Sequence, residues 1–264
     1  MAHYMRGLRF LFIAVSALSS VNAIPNGITL FDPAGDFDYQ IGGSFTPASS
    51  VTTVSRDKDD SPAPGLYNIC YINAFQSQDG DDKTWWEQNA ANLLLQKNGK
   101  LVIDPDWDEY IFNTTTAANR NALAVIVEPW IDECASKGFN AIEPDNLDTY
   151  TRFSQLTKAD NLAFARILSD YAHSKNLAFA QKNTAELQAA DKTTGGFDFA
   201  IAEECAVYNE CSAYTALYGN HVLEIEYSDN GIDYFNQACA ALGAQIPINY
   251  RNRNVTPKGV DMHC

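Results

Sequence analysis

Eight short runs rich in β-branched and aromatic residues punctuate this chain, and their number and spacing constrain its fold more than any other feature. They are "FDYQIGG" (37–43), "VTTVSRD" (51–57), "YNICYINA" (67–74), "FNAIEPDN" (139–146), "LAFAQKN" (177–183), "FDFAIAEE" (197–204), "HVLEIEY" (221–227) and "QIPINYRN" (245–252). Runs of this length and composition predict strands. Between the later ones lie segments of helical period, and strands alternating with helices predict a parallel sheet. Eight such units close into an α/β fold of the (β/α)8 TIM barrel type. An open doubly wound sheet is the alternative, but no glycine-rich turn follows the first strand as that fold would need.

The segment "TKADNLAFARILSDYAHSKN" opens on Thr157 as an N-cap and lines up Leu162, Ile167, Leu168 and Tyr171 on one stripe. "NRNALAVIVEPWIDECASKG" ends with Gly138 in the position of a helix C-cap, and Pro129 inside it predicts a kink or two helices. The long stretch between the third and fourth runs includes "LVIDPDWDEYIFN", read as an excursion at the barrel mouth and not as a ninth barrel strand. Its aromatic residues Trp85, Trp86, Trp107 and Tyr110 are candidates either for stacking against a ligand ring or for packing under the loop. "RDKDDSPAPG" (56–65) is polar and proline-rich, the signature of a surface loop.

Residues 1–23 carry Arg6 and Arg9, the apolar run "FLFIAVSAL" and the small-residue site "VNA", which together predict a secretory signal. The remainder, 24–264, is expected to form one exported domain, extracellular and monomeric, with no membrane partner. At 46% hydrophobic the chain has enough apolar residues for a full core. The formal net charge of −15 has the wrong sign for phosphate neutralisation, so nucleic acid is not an expected partner. Six cysteines, an even count without a CxxC pair, predict disulfides and not a metal site. Cys205 and Cys211 are close enough for a local staple, while the other pairings stay open. "NTT" at Asn113 and "NVT" at Asn254 fit the glycosylation acceptor pattern.

The apolar runs share one further regularity: each ends in hydrogen-bonding or charged groups. In a barrel these ends meet at the C-terminal mouth, where catalytic groups sit. Side chains alternate along a strand, so Glu143 and Asp145 share a face, with Asp145 outermost and Glu143 one layer deeper. By the same alternation, only one of Glu203 and Glu204 can reach the mouth. Asp145 and Glu203 are the expected catalytic pair, since glycoside hydrolysis needs two differently tuned carboxyl groups. The strand ends also offer Tyr71, Asn73, Glu143, Asn146, Lys182, Asn183, Glu226, Tyr227 and Arg251 as substrate contacts. Lys182 is either a Schiff-base lysine or a cation paired with the carboxylates, and the abundance of acid favours pairing. With no HxH, HExxH or GxSxG spacing, metallohydrolase and serine-esterase chemistry find little support, and neither metal nor cofactor is expected.

The blocks "RDKDDSPAPGLYNICYINAFQSQ", "GFNAIEPDNLDTYTR", "LAFAQKNTAEL", "FDFAIAEECAVYNEC" and "EIEYSD" together resemble glycoside hydrolase family 114, secreted barrel enzymes typified by endo-α-1,4-polygalactosaminidase. The resemblance runs in order from about residue 37 to residue 253. It implies a retaining-type α-galactosaminide hydrolase whose catalytic pair falls on Asp145 and Glu203. The implied partner is a galactosamine-containing polysaccharide, cationic where it is not acetylated. "INYRNRN" departs from the family's ending by carrying Asn252 where an acid is expected. Alternatives are a carbohydrate-binding barrel that holds sugar without cutting it, and a glycosidase for another α-linked galacto-polysaccharide.

Overall fold

The computed structural model describes residue 25 and residues 27–264; the expected signal segment lies outside the described residues. Each of the eight apolar runs contains a strand: β1 (Asp36–Tyr39), β2 (Val51–Asp57), β3 (Tyr67–Ile72), β4 (Ala141–Pro144), β5 (Ala178–Lys182), β6 (Phe199–Glu203), β7 (Val222–Tyr227) and β8 (Ile248–Arg251). They pair parallel in that order. The result is the TIM barrel that the strand spacing predicts.

Two departures have physical causes. Residues 40–50 and 58–66, which connect β1 to β2 and β2 to β3, contain no helix, because each stretch is shorter than the dozen or so residues that a helical crossover needs. A ninth strand, β9 (Asp261–His263), pairs antiparallel with β8. At three residues, with Met262 exposed, it has no apolar alternation to betray it. No strand pairing joins β8 or β9 to β1 among the described residues. Side chains close that seam instead: the Tyr39 amide donates to Asn249 Oδ1 at 2.9 Å, Arg251 donates to the Tyr39 carbonyl, and His263 Nε2 meets Asp38 Oδ1 at 2.6 Å.

The helices are α1 (Gly80–Asn89), α2 (Ala117–Lys137), α3 (Thr149–Arg152), α4 (Lys158–Ser174), α5 (Ala189–Gly195), α6 (Cys211–Tyr218) and α7 (Ile232–Leu242). Thr157 caps α4 by accepting from the Asp160 amide at 3.2 Å, and Gly138 ends α2 at φ +92°. Pro129 lies inside α2, which runs unbroken, so the two-helix reading does not hold. One missing backbone bond is outweighed there by the buried face of Leu123, Val127 and Ile131 and by the disulfide that ties Cys134 to Cys70. The remaining cysteines pair as Cys205–Cys211, the expected staple, and Cys239–Cys264. Between β3 and α2 the chain forms α1 and two small hairpins, Gln96–Lys97 with Lys100–Leu101 and Ile103–Asp104 with Glu109–Tyr110, outside the barrel sheet.

Two apolar layers result. Phe37, Ile69, Ala141, Ala178, Ala180, Phe199, Ile201, Leu223 and Ile225 fill the barrel, while Ile142, Phe179, Ala200 and Val222 face outward to the helices. Period-two alternation therefore fixes which strand residues continue up the interior to the mouth.

Candidate active site

Above the apolar filling of the barrel, the inward positions turn polar and converge on Lys182. It ends β5 with its side chain 1% exposed. Its Nζ lies 2.8 Å from Glu143 Oε1, 2.9 Å from the Tyr39 hydroxyl, and 3.2 Å from both Asp145 Oδ1 and Glu203 Oε2. The nearer oxygens of Asp145 and Glu203 are thus at most twice that last distance apart. Each carboxylate also accepts a phenol: Tyr71 donates to Asp145 Oδ2 at 2.7 Å, and Tyr227 donates to Glu203 Oε1. Asn183 holds Glu203 twice, Nδ2 donating to Oε2 at 3.0 Å and Oδ1 accepting from its amide at 2.8 Å. One layer deeper, Glu143 is fully buried and accepts from Tyr39 and Ser55 as well as from Lys182.

Burial opposes the charge on Lys182, but Asp145, Glu143 and Glu203 outweigh it and hold the ammonium well above its ordinary pKa. An ammonium held this way is a paired cation, whereas a Schiff-base lysine needs a free amine. Burial also pushes Asp145 upward, yet Lys182, Tyr71 and the Asn146 amide win and leave it below the usual aspartate value. At Glu143 the balance reverses: burial prevails over Lys182 and Ser55, and its pKa is raised. Burial first and the neighbouring carboxylates second push the phenols of Tyr39, Tyr71 and Tyr227 well above 10.0, so each is a donor at neutral pH.

The backbone marks the same three strand ends. Asn146 follows Asp145 at φ +64°, Asn183 and Thr184 follow Lys182 at +50° and +66°, and Glu204 follows Glu203 at +61°. Left-handed conformations outside glycine cost energy, and a β-branched residue such as Thr184 adopts one rarely. Each turns the chain sharply away after its functional side chain, so the strand end is presented to the mouth. Glu204 is turned off the site and binds Asn230 and Arg253, which leaves Glu203 alone to reach Lys182, as alternation requires.

Of the expected contacts, Tyr71, Glu143, Lys182, Asn183 and Tyr227 surround Asp145 and Glu203. Asn73 and Asn146 stand one step away: Asn146 Nδ2 donates to Asn73 Oδ1 at 2.9 Å, and Asn73 donates to Glu109 at 2.9 Å and to the Ser77 carbonyl at 3.0 Å. Two residues lie elsewhere. Glu226 precedes Tyr227 and so faces the opposite side of β7, where it accepts from the Ala206 amide at 2.9 Å. Arg251 is fully buried and is consumed by the barrel seam, bonding the carbonyls of Tyr39, Val260 and Thr256. Asn252 also turns away, its Nδ2 donating to Thr256 Oγ1 at 3.2 Å. Among the aromatic residues of the excursion, Trp86 and Tyr110 are buried, Trp86 against Phe112, while Trp85 and Trp107 are 44% and 52% exposed.

Three participants escaped the sequence reading. Tyr39 and Ser55 have the right parity on β1 and β2, but a tyrosine and a serine near strand ends carry no signal by themselves. Glu109 comes from the excursion, where the Ile103–Asp104/Glu109–Tyr110 hairpin brings it to Asn73 and to Gln76 at 2.7 Å. Burial first, then Asp145 and Asp104 against those two amide donors, pushes its pKa up to about 7.

Three carboxylates, Glu143, Asp145 and Glu203, thus share one buried ammonium at the barrel mouth. The chain resembles Ega3 of Aspergillus fumigatus, solved in complex with galactosamine: 23% identity, TM-score 0.70, covering 88% of this chain and 96% of that one. It also resembles the glycoside hydrolase domain of PelA from Pseudomonas aeruginosa, with 14% identity, TM-score 0.56, and coverage of 86% and 97%. At these identities the two likenesses speak for the fold. No curated protein matches the sequence. The model of glycoside-hydrolase family GH114 matches residues 19–264, and this chain therefore belongs to that family and is a glycoside hydrolase.

Proposed function

We propose that the chain is an exported hydrolase of α-1,4-linked galactosamine polymers, with Asp145 as nucleophile and Glu203 as general acid and base. The observation that carries this reading is the shared contact of both carboxylates with Lys182 Nζ at 3.2 Å. Their nearer oxygens lie at most twice that distance apart, which supports the closer-set pair of a retaining enzyme (~5–5.5 Å) over the roughly 6.5–9.5 Å of an inverting one. In this scheme Glu203 protonates the leaving glycosidic oxygen as Asp145 attacks the anomeric carbon. Water, deprotonated by Glu203, then releases the glycosyl group from Asp145. Lys182 and Tyr71 keep Asp145 ionised for the first step.

The substrate assignment draws on the galactosamine bound to Ega3 and on charge: a formal −15 chain with an acid-rich mouth suits a polymer of ammonium sugars. Export is supported by the three disulfides. Of the two glycosylation acceptors, Asn254 is exposed, whereas Asn113 is half-buried with Oδ1 engaged by Thr115.

The test is digestion of partly deacetylated galactosaminogalactan. New reducing ends are expected from the wild type, with the α-anomer formed first. Asp145→Asn and Glu203→Gln are each expected to lower the rate by about a thousandfold or more with an unchanged circular dichroism spectrum. Polymer retained without new reducing ends would instead identify a sugar-binding barrel. Full activity in either variant would remove that residue from the scheme.

A further inference from the structure

The outer face of β7 carries two buried acids that the proposed chemistry does not use. Glu224 and Glu226 lie two residues apart and therefore on one side of the strand, beneath the 204–211 loop that leaves Glu203. Glu226 Oε1 accepts from the Ala206 amide at 2.9 Å, a side-chain bond from β7 into that loop's backbone. Glu224 Oε1 faces Cys211 Sγ at 3.6 Å, a sulfur locked in the Cys205–Cys211 disulfide with no proton to donate. The second oxygen of each acid is buried without a hydrogen-bond partner, so neither is satisfied when both groups are ionised.

Among the described residues no cation is paired with Glu224. The helices packed on this face, α6 and α7, contain no lysine, arginine or histidine; their titratable side chains are Tyr214, Tyr218, Asp233 and Tyr234. On the neighbouring strand the outward titratable group is Tyr250. Glu204 and Arg253 act on Glu226 in opposite senses. Two ionised carboxylates facing each other in such a place would each stand desolvated and repelled. A carboxylic acid donating to a carboxylate satisfies both.

We propose that Glu224 and Glu226 share a single proton at neutral pH and in that form act as positioning residues, pinning the 204–211 loop so that Glu203 stays seated against Tyr227 and Lys182. The proton resides on Glu224, whose pKa burial and then Glu226 push up to about 9. The negative partner, Glu226, binds the Ala206 amide. β7 thus serves Glu203 from both sides: Tyr227 holds the carboxylate inside the barrel, and the acid pair holds the following loop outside it. The catalytic half of this inference rests on Glu203 being part of the glycosidase site; the clamp itself does not.

The experiment is amide hydrogen exchange of the full chain over 204–211 as a function of pH, beside the pH profile of polymer hydrolysis. In the wild type, protection of that loop is expected to be lost as pH rises past about 9, with hydrolysis falling in the same range. Glu224→Gln, which keeps a neutral donor toward Glu226, is expected to retain protection there and to shift its alkaline limb upward. Glu226→Gln, which also leaves one carboxylate against one amide, provides a second variant should the first fail to fold. Exchange that is the same in wild type and variants across the whole range overturns the clamp. Loss of protection in the wild type without any effect on the alkaline limb overturns the positioning role. Absence of hydrolysis at neutral pH defeats the glycosidase reading, and the exchange comparison still decides the clamp.

Discussion

Asp145 and Glu143 sit two residues apart on the same face of β4, both within reach of Lys182, and are driven in opposite directions. For Glu143 desolvation dominates; for Asp145 the ammonium, the Tyr71 phenol and the Asn146 amide prevail over burial. Removing one of those supports gives a signed prediction. Tyr71→Phe deletes a donor to the charged form, so the pKa of Asp145 rises and the acid limb of kcat/KM moves to higher pH. An acid limb left in place would separate Tyr71 from Asp145. Period-two alternation made this division between Glu143 and Asp145 legible in the sequence. The same rule, applied to "EIEY", separates Glu226 from Tyr227, and reading strand ends as one undivided group obscured it. Glu109 was illegible for a different reason, since a hairpin outside the barrel brings it to Asn73.

At the level of elements, the eight strands were legible because each is a compact apolar run between polar loops. What could not be read was anything whose cause lies across the fold: β9, which exists because β8 offers it an edge, and Arg251, which looked like a mouth residue and closes a seam. The disulfides belong to this scale too. Cys70, outward on β3, grips Cys134 of α2 across 64 residues, which contain the excursion that supplies Glu109. In the chain-entropy picture a loop of that length is worth about 4 kcal/mol. Cys70→Ala with Cys134→Ala is expected to lower the free energy of unfolding by about that amount, read by urea titration. The same pair is expected to leave Asp145, Lys182 and Glu203 assembled, because strand pairing through β4, β5 and β6 holds them.

The whole molecule is a parallel barrel in which one junction is made by side chains. His263 lies in that junction between Asp38 and Asp261, with Asp36 nearby; burial works against its charge and these acids overcome it, so its pKa is raised above 6.5. A raised pKa in the folded state means that the pair stabilises fully below the unfolded value near 6.5 and fades as pH climbs through the folded one. Relative to His263→Gln, the wild type is therefore expected to lose thermal stability from about pH 6.5 upward. Parallel slopes for the two proteins across that range would rule the contribution out.

In mechanical terms the barrel is a split ring. Seven junctions are riveted by backbone ladders, and the eighth is buttoned by Asn249, Arg251 and His263. Heat or denaturant should undo the buttons first, and Tyr39 joins that opening directly to Glu143 and Lys182. Inactivation should therefore run ahead of global unfolding, with β1 and β9 exchanging their amides while the rest of the sheet stays protected.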